Sequence, residues 1–153
     1  EFKARRAGEL AYIHSPASED EVSLYDRARE RTICLYSPRR GEDPRPFLSQ
    51  GLEVAQVAIA DRPDNRLFHG LAFVLNHSMA RWEDEHGGDA EGAFRTAIAA
   101  LERSIPGESP SAEDHRNMAL VRHDLGVHLM SRGLDPTAEL RAATGAQHAT
   151  DRG

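Results

Sequence analysis

The sequence has one cysteine, Cys34, and no long uninterrupted run of apolar residues. A single cysteine cannot form an internal disulfide or a zinc site built on cysteine pairs, and it suits a reducing compartment. No run approaches the roughly 18 apolar residues that identify a transmembrane helix, and no basic segment precedes an apolar one as in a signal peptide. We therefore expect a soluble protein of the cytoplasm.

Basic residues are in the minority among charged residues, 19 against 25 acidic ones, so the formal net charge is −6, and Lys3 is the only lysine. Proteins that bind nucleic acid or acidic membrane surfaces need a surplus of basic side chains to displace counterions from phosphate groups. The glycine-containing stretches HGGD and SRG lack the Lys-Ser or Lys-Thr pair of a phosphate-binding loop. The sequence therefore predicts no nucleic-acid partner, no membrane partner and no cofactor.

Helix-forming residues are abundant, and proline and glycine divide them into segments. In the segment 65–86, Leu67, Leu71 and Leu75 recur at helical spacing before Gly87. The same alternation of apolar stripes and helix breakers along the chain predicts an all-α fold in a single domain, 1–153. Its predicted parts are an orphan leading helix at 3–15 and three antiparallel helical hairpins at 19–62, 65–105 and 112–148.

The stretch LGVHLMSRGLDPTAELRAATG, residues 125–145, resembles the tetratricopeptide repeat (TPR), a family of paired antiparallel helices. The small residues within 51–58 and 97–104 resemble second helices of the same kind. Two features depart from the family: the repeats exceed its usual length of about 34 residues, and Arg122 stands where a large aromatic residue is expected. The matching positions are Leu125, Gly126, Leu129, Gly133, Ala138, Ala142 and Gly145.

The resemblance implies a TPR-like right-handed α-solenoid in which the first helix of each hairpin lines a concave groove. Repeats this long are similar to those of large actinobacterial regulatory proteins. Because the chain begins with Glu1 and Phe2 and not with Met, we expect it to be a piece of such a larger protein. The predicted function is that of a non-catalytic interaction module, a scaffold or sensor segment, without catalytic residues or metal ligands.

The phase of the predicted helices places polar and aromatic side chains along the wall of this groove. Arginine, histidine and asparagine around an aromatic ring suit an acidic or polar protein or peptide partner with one apolar anchor. Val127 and Met130 are expected on the same wall as the other groove residues. The predicted partner-binding residues are Arg27, Arg31, His69, Phe73, Asn76, His77 and His123.

Two other functions stay open on the sequence. One is homo-oligomerisation through the unmatched helix at 3–15, and the sequence leaves the oligomeric state undecided. The other is a metal-dependent hydrolase that uses His115, His123, Asp124 and His77, although the further ligands of such a site are not identifiable.

Three further features have ordinary structural explanations. Glu83 and His86 have the Glu-x-x-His spacing of di-iron helical bundles, but no second copy of the motif exists, so we expect a solvated helix end. Cys34 lies in an apolar helical run and is expected to pack as a small hydrophobic residue. Trp82 shares a stripe with Leu71 and Leu75, which places it in the predicted core.

Overall fold

The computed structural model describes residues 42–107 and 109–151, and within them the chain forms five α-helices and no strand. The predicted all-α class is confirmed for these residues, and the segment predicted at 65–86 forms a helix from Arg66 to Glu85. None of the helices described there is both long and apolar enough to cross a bilayer. The predicted helix at 3–15 and the part of the hairpin at 19–62 that precedes residue 42 lie outside the described residues. The helices are α1 (Arg45–Asp61), α2 (Arg66–Glu85), α3 (Glu91–Ser104), α4 (Ala112–Ser131) and α5 (Thr137–Asp151).

Side-chain caps and glycines define the ends of α2 and α4. The Asn65 side chain accepts a hydrogen bond from the Leu67 backbone N–H at 3.0 Å, and Ser111 and Asp114 form a reciprocal capping box at the start of α4. Gly87 and Gly133 follow the ends of the two helices with φ angles of 75° and 71°. Side chains disfavour this left-handed conformation, so glycine suits both turns.

The start of α3 differs from the sequence prediction. The pattern favours Asp89 as N-cap, but the cap residue is Ala90 and the helix begins at Glu91. The Asp89 carboxylate still accepts a hydrogen bond from the Glu91 backbone N–H at 3.3 Å. Ala90 is fully buried in the larger of the two apolar clusters described below, so the start of α3 is packed against the core.

Consecutive helices from α1 to α4 pack antiparallel. Along α2 and α3 the cross-helix contacts run in opposite order, from Gly70 with Ser104 to His77 with Phe94. In the α1–α2 pair and in the α3–α4 pair, residues later along one helix likewise contact residues earlier along the other. The helices α2 and α4 therefore run in the same direction, and they also contact each other beside α3.

Two apolar clusters hold the helices together. The larger joins α2, α3 and α4 around Phe94, Val121 and Leu125, and the smaller joins α1 and α2 around Leu48 and Leu75. Burial of each large apolar side chain contributes about 1.5–3 kcal/mol. The larger cluster contains residues of both α2 and α4 and so fixes their relative positions, which matter for the site described below.

Arg122 occupies the position where the resemblance to the tetratricopeptide repeat expects a large aromatic residue. Its guanidinium forms ion pairs with Glu139 of α5 at 2.8 Å and with Glu102 of α3 at 3.2 Å. Arg95 of α3 lies 3.5 Å from the same Glu139 carboxylate. This ion-pair network links three helices at a half-buried surface, which is how the chain accommodates a charged residue at this position.

Candidate functional site

A cleft of about 300 Å³ opens between the C-terminal half of α2 and the middle of α4. The buried ring of Phe94, from α3, contributes to its lining, and α4 contributes two apolar side chains, Leu120 and Val127. The other lining residues are polar or charged: Arg81, Asp84, Glu85, His123 and Asp124. We call this cleft the α2–α4 groove.

Two histidine–aspartate pairs join the helices that form the groove. His77 Nε2 of α2 donates a hydrogen bond to Asp124 Oδ2 of α4 at 2.9 Å. His128 Nδ1 of α4 donates in the opposite direction, to Asp84 Oδ1 of α2 at 2.6 Å. Because both histidines are buried, these hydrogen bonds satisfy polar atoms that would be costly to bury alone. The two pairs therefore fix the spacing and register of the groove walls.

The ring of Phe94 lies between the two histidines. Its centroid is 6.1 Å from that of His77 and 6.0 Å from that of His128, with tilted ring planes in both cases. His77 also stacks on Phe73, with 5.6 Å between centroids. Aromatic contacts of this kind add stability beyond the area they bury. The groove thus has a rigid aromatic base and walls joined by hydrogen bonds.

The groove carries an excess of negative charge. Its lining includes three carboxylates, Asp84, Glu85 and Asp124, and one guanidinium, Arg81. Burial raises the pKa of Asp124, but the hydrogen bond and charge of His77, together with His123 and Arg81, lower that pKa by more. The net direction is below the ordinary value, so Asp124 is ionised at neutral pH.

A second cleft, also of about 300 Å³, lies on the α1 side of the same half of α2. Trp82 forms part of it, half-buried at the surface and not in the core that its stripe predicted. The Arg45 guanidinium lies 4.2 Å above the Trp82 ring, and the His86 ring stacks on that indole with 4.0 Å between centroids. Arg81 and Glu85 line both clefts, so the two adjoin along α2.

The structure places the predicted partner-binding residues in three different settings. His69, Phe73 and His77 are buried, and His69 Nε2 donates a hydrogen bond to the Pro63 carbonyl at 2.6 Å. Asn76 is half-buried and donates to the Ala72 carbonyl, whereas His123 is exposed on the groove rim. Arg27 and Arg31 lie outside the described residues.

This placement corrects one premise of the sequence analysis. Helix phase predicted that all of these side chains lie along an open groove wall, but His69, Phe73 and His77 are buried in the packing between helices. The structure brings His77 and His123 to one carboxylate, Asp124, with His123 Nδ1 at 3.5 Å from Oδ1. The part that any of these side chains takes in binding stays a prediction.

Sequence reasoning missed five groove residues: Arg81, Asp84, Glu85, Phe94 and Leu120. Leu120 lies seven positions before Val127, so both fall on one face of α4, and this spacing was the available signal. Asp84 and Phe94 enter the groove through contacts with α4 that are distant in sequence. No local pattern could reveal these contacts.

The part of the chain that the structure describes contains no cluster of side chains arranged to bind a metal ion. Within 42–107 and 109–151, no group of three or more histidine, cysteine, aspartate or glutamate side chains is placed to hold a metal ion. Comparisons with known proteins add no further assignment: neither a protein-family model, nor a curated protein, nor a solved structure matches the chain.

Proposed function

We propose that the protein is a non-catalytic protein-interaction module, a TPR-like stack of helical hairpins that binds a polypeptide segment in the α2–α4 groove. The observation that carries the proposal is the partly apolar groove itself, held open between two helices that run in the same direction. Leu120 and Val127 line the groove and are 47% and 39% exposed, and Met130, about one turn beyond it on α4, is 59% exposed. Exposed apolar side chains beside a concave surface are typical of partner recognition.

The arrangement of the helices supports the TPR-like part of the proposal. In a stack of hairpins, the first helices lie side by side in the same direction, and the second helices cover them from one side. The helices α2 and α4 have this relation to each other, with α3 antiparallel to both. Gly126, at the glycine of the Leu-Gly pair, faces Leu140 of α5, as close packing within a hairpin requires.

A selection experiment tests the proposal. The full chain is immobilised, short random peptides displayed on phage are selected against it, and a selected peptide is synthesised and titrated against variants. Val127→Asp adds a charge inside the groove and should weaken binding at least about tenfold, which is 1.4 kcal/mol. Val57→Asp is the matched control, because Val57 is an exposed residue of α1 that does not line the groove.

Two results would contradict the proposal. One is a selection that yields no peptide with measurable affinity for the folded chain. The other is a selected peptide that binds Val127→Asp as tightly as the unchanged protein, because recognition would then use another surface. Circular dichroism of both variants checks that the helices are intact.

Homo-oligomerisation is the second candidate, and the exposed apolar residues of α4 favour it as well. Leu120, Val127 and Met130 could contact the same face of a second copy, burying apolar area on both sides. The charge of the groove opposes this arrangement, because two copies would bring the same carboxylates together. We therefore rank a different polypeptide above a second copy.

A further inference from the structure

We propose that the segment bound in the α2–α4 groove is cationic and amphipathic, with an apolar side chain seated between Leu120 and Val127 and a Lys or Arg beside it facing Glu85. This inference rests on the proposed function and specifies the chemistry of the partner. It differs from the acidic or polar partner expected from the sequence. That expectation rested on arginine, histidine and asparagine side chains together, and its two arginines, Arg27 and Arg31, lie outside the described residues.

The first step concerns the apolar part of the groove. Leu120 and Val127 lie seven residues apart on one face of α4, and the buried ring of Phe94 lies in the same cleft. An aliphatic or aromatic side chain of a partner would remove apolar surface on both molecules from water, which gains roughly 25 cal/mol per Å². A cleft of about 300 Å³ is at the lower end of the size of small binding sites. One such side chain is therefore the anchor that this cleft fits.

The second step is the charge of the rim. Three carboxylates and one guanidinium line the cleft. Arg81 lies 3.8 Å from Glu85 in an exposed pair, and the carboxylates still outnumber the guanidinium, so the cleft is negative when its histidine is neutral. Asp84 and Asp124 each accept a hydrogen bond from a histidine through one oxygen, and these bonds hold both carboxylates in place at the groove. An acidic partner would bring further carboxylates against them in a partly desolvated cleft, where repulsion between like charges is costly. A basic side chain of a partner would instead be attracted by these carboxylates.

The third step is the position of the groove at the C-terminal end of α2. Asp84 and Glu85 are the last two residues of that helix, where the helix dipole places partial negative charge. The same end already holds one guanidinium of this chain, since Arg45 lies over Trp82 and 3.5 Å from Glu83. The net charge of −6 on the whole chain adds a field of the same sign, which favours the approach of a cationic segment.

Two defined peptide libraries test the inference. They share the same apolar positions, and the charged positions encode only Lys and Arg in one library and only Asp and Glu in the other. Both are displayed on phage and selected in competition against the full chain. We expect the recovered binders to come from the basic library and to bind more weakly at high salt. They should lose at least about tenfold in affinity for Val127→Asn, which removes the apolar contact without adding a carboxylate that would attract them.

Two variants, each of which removes one negative charge, test whether the attraction comes from the groove. Glu85→Gln should weaken a basic binder about two- to fivefold, as expected for an exposed ion pair. Glu53→Gln, an exposed residue of α1 that does not line the groove, removes the same charge from the whole chain and should leave affinity unchanged. Equal losses for both variants would mean that the net charge and not the groove attracts the peptide, and would overturn the inference.

The remaining outcomes separate the two proposals. If the recovered binders come from the acidic library and still require Val127, the groove binds a peptide but the cationic partner is wrong. If neither library yields a binder that is sensitive to Val127→Asn, both the inference and the proposed function fail.

Discussion

His77 and His128 show how single residues in this protein serve packing and electrostatics together. Each ring is buried against Phe94, and each donates a hydrogen bond across the α2–α4 boundary. The two pairs are reciprocal, because each helix contributes one histidine and one aspartate. Loss of either aspartate would leave a buried imidazole without its acceptor, and such a group typically costs about 1–3 kcal/mol.

Acid should weaken the protein through Asp124. The pKa of this carboxyl is lowered in the folded chain, so its contribution to stability is present above the unfolded pKa of about 3.9 and is lost as the pH falls through the folded value. Asp124→Asn should therefore lower the free energy of unfolding more at pH 5 than at pH 3. Urea unfolding at the two pH values measures this difference.

A double-mutant cycle shows whether His77 causes this effect. In a His77→Asn background, Asp124→Asn should cost less at pH 5 by about 1–2 kcal/mol, because the hydrogen-bond partner is already gone. The same cost in both backgrounds would mean that His123 and Arg81, the other groups that act on Asp124, account for the lowered pKa.

The helix α2 explains why its side chains were hard to place from sequence. Its Leu67, Leu71 and Leu75 stripe predicted one buried face, but α2 contacts α1, α3 and α4, and eight of its residues are buried. A helix with three neighbouring helices is buried around most of its circumference. The helical periodicity of its apolar residues therefore cannot distinguish a position in the groove from a position in the core. His69, Phe73 and His77 are the residues for which this limit mattered.

Helix existence and helix ends were easier to predict, because their signals are local. Asn65 and Ser111 cap α2 and α4 through their own side chains, and Gly87 and Gly133 adopt the left-handed conformation that ends helices. The α2–α4 groove depends instead on pairs such as His128 with Asp84, which are distant in sequence. The sequence contained these residues but not their proximity.

Glycine at position 126 is predicted to be needed for the contact between α4 and α5. A Cβ atom added there would lie 2.6 Å from Leu140 Cδ2 and 2.9 Å from its Cγ, which is closer than packed atoms approach. Gly126→Ala should therefore cost about 1–3 kcal/mol in displaced packing, against a gain of up to about 1 kcal/mol in helix propensity. Urea unfolding monitored by circular dichroism measures the net effect.

Gly145→Ala is the matched control. Gly145 lies in the exposed part of α5, and a Cβ atom added there meets nothing within 4 Å. Its replacement should stabilise the protein by up to about 1 kcal/mol through helix propensity alone. Equal stabilisation by both substitutions would mean that α4 and α5 do not need the close approach at Gly126.

At the scale of the whole molecule, the described helices have mainly local neighbours. Apart from the Arg95–Glu139 ion pair between α3 and α5, each packs against the helices before and after it in sequence, and the further contact is the one between α2 and α4. That contact is where the groove lies and where both histidine–aspartate pairs lie. The position of the groove is therefore a consequence of the stacking, and substitutions in the pairs should alter the groove and the stability together.

The net charge of the chain bears on whether it self-associates. Two copies that met through the α2–α4 groove would juxtapose Asp84, Glu85 and Asp124 with the same residues, on chains of net charge −6. Like-charge repulsion opposes such a dimer, most strongly at low ionic strength. We therefore predict that the protein sediments as a monomer of 16.9 kDa over a wide range of concentration at low salt.

Sedimentation equilibrium at several concentrations, at low and at high salt, measures the mass directly. A mass that rises with concentration and returns to the monomer value in Val127→Asp would make the groove a self-association surface, and homo-oligomerisation would replace binding of a different polypeptide as the proposed function. A rise that Val127→Asp leaves unchanged would place the self-association surface outside the groove. A constant monomer mass in both salts leaves the exposed side chains of Leu120, Val127 and Met130 available to a different partner, because no second copy then covers them.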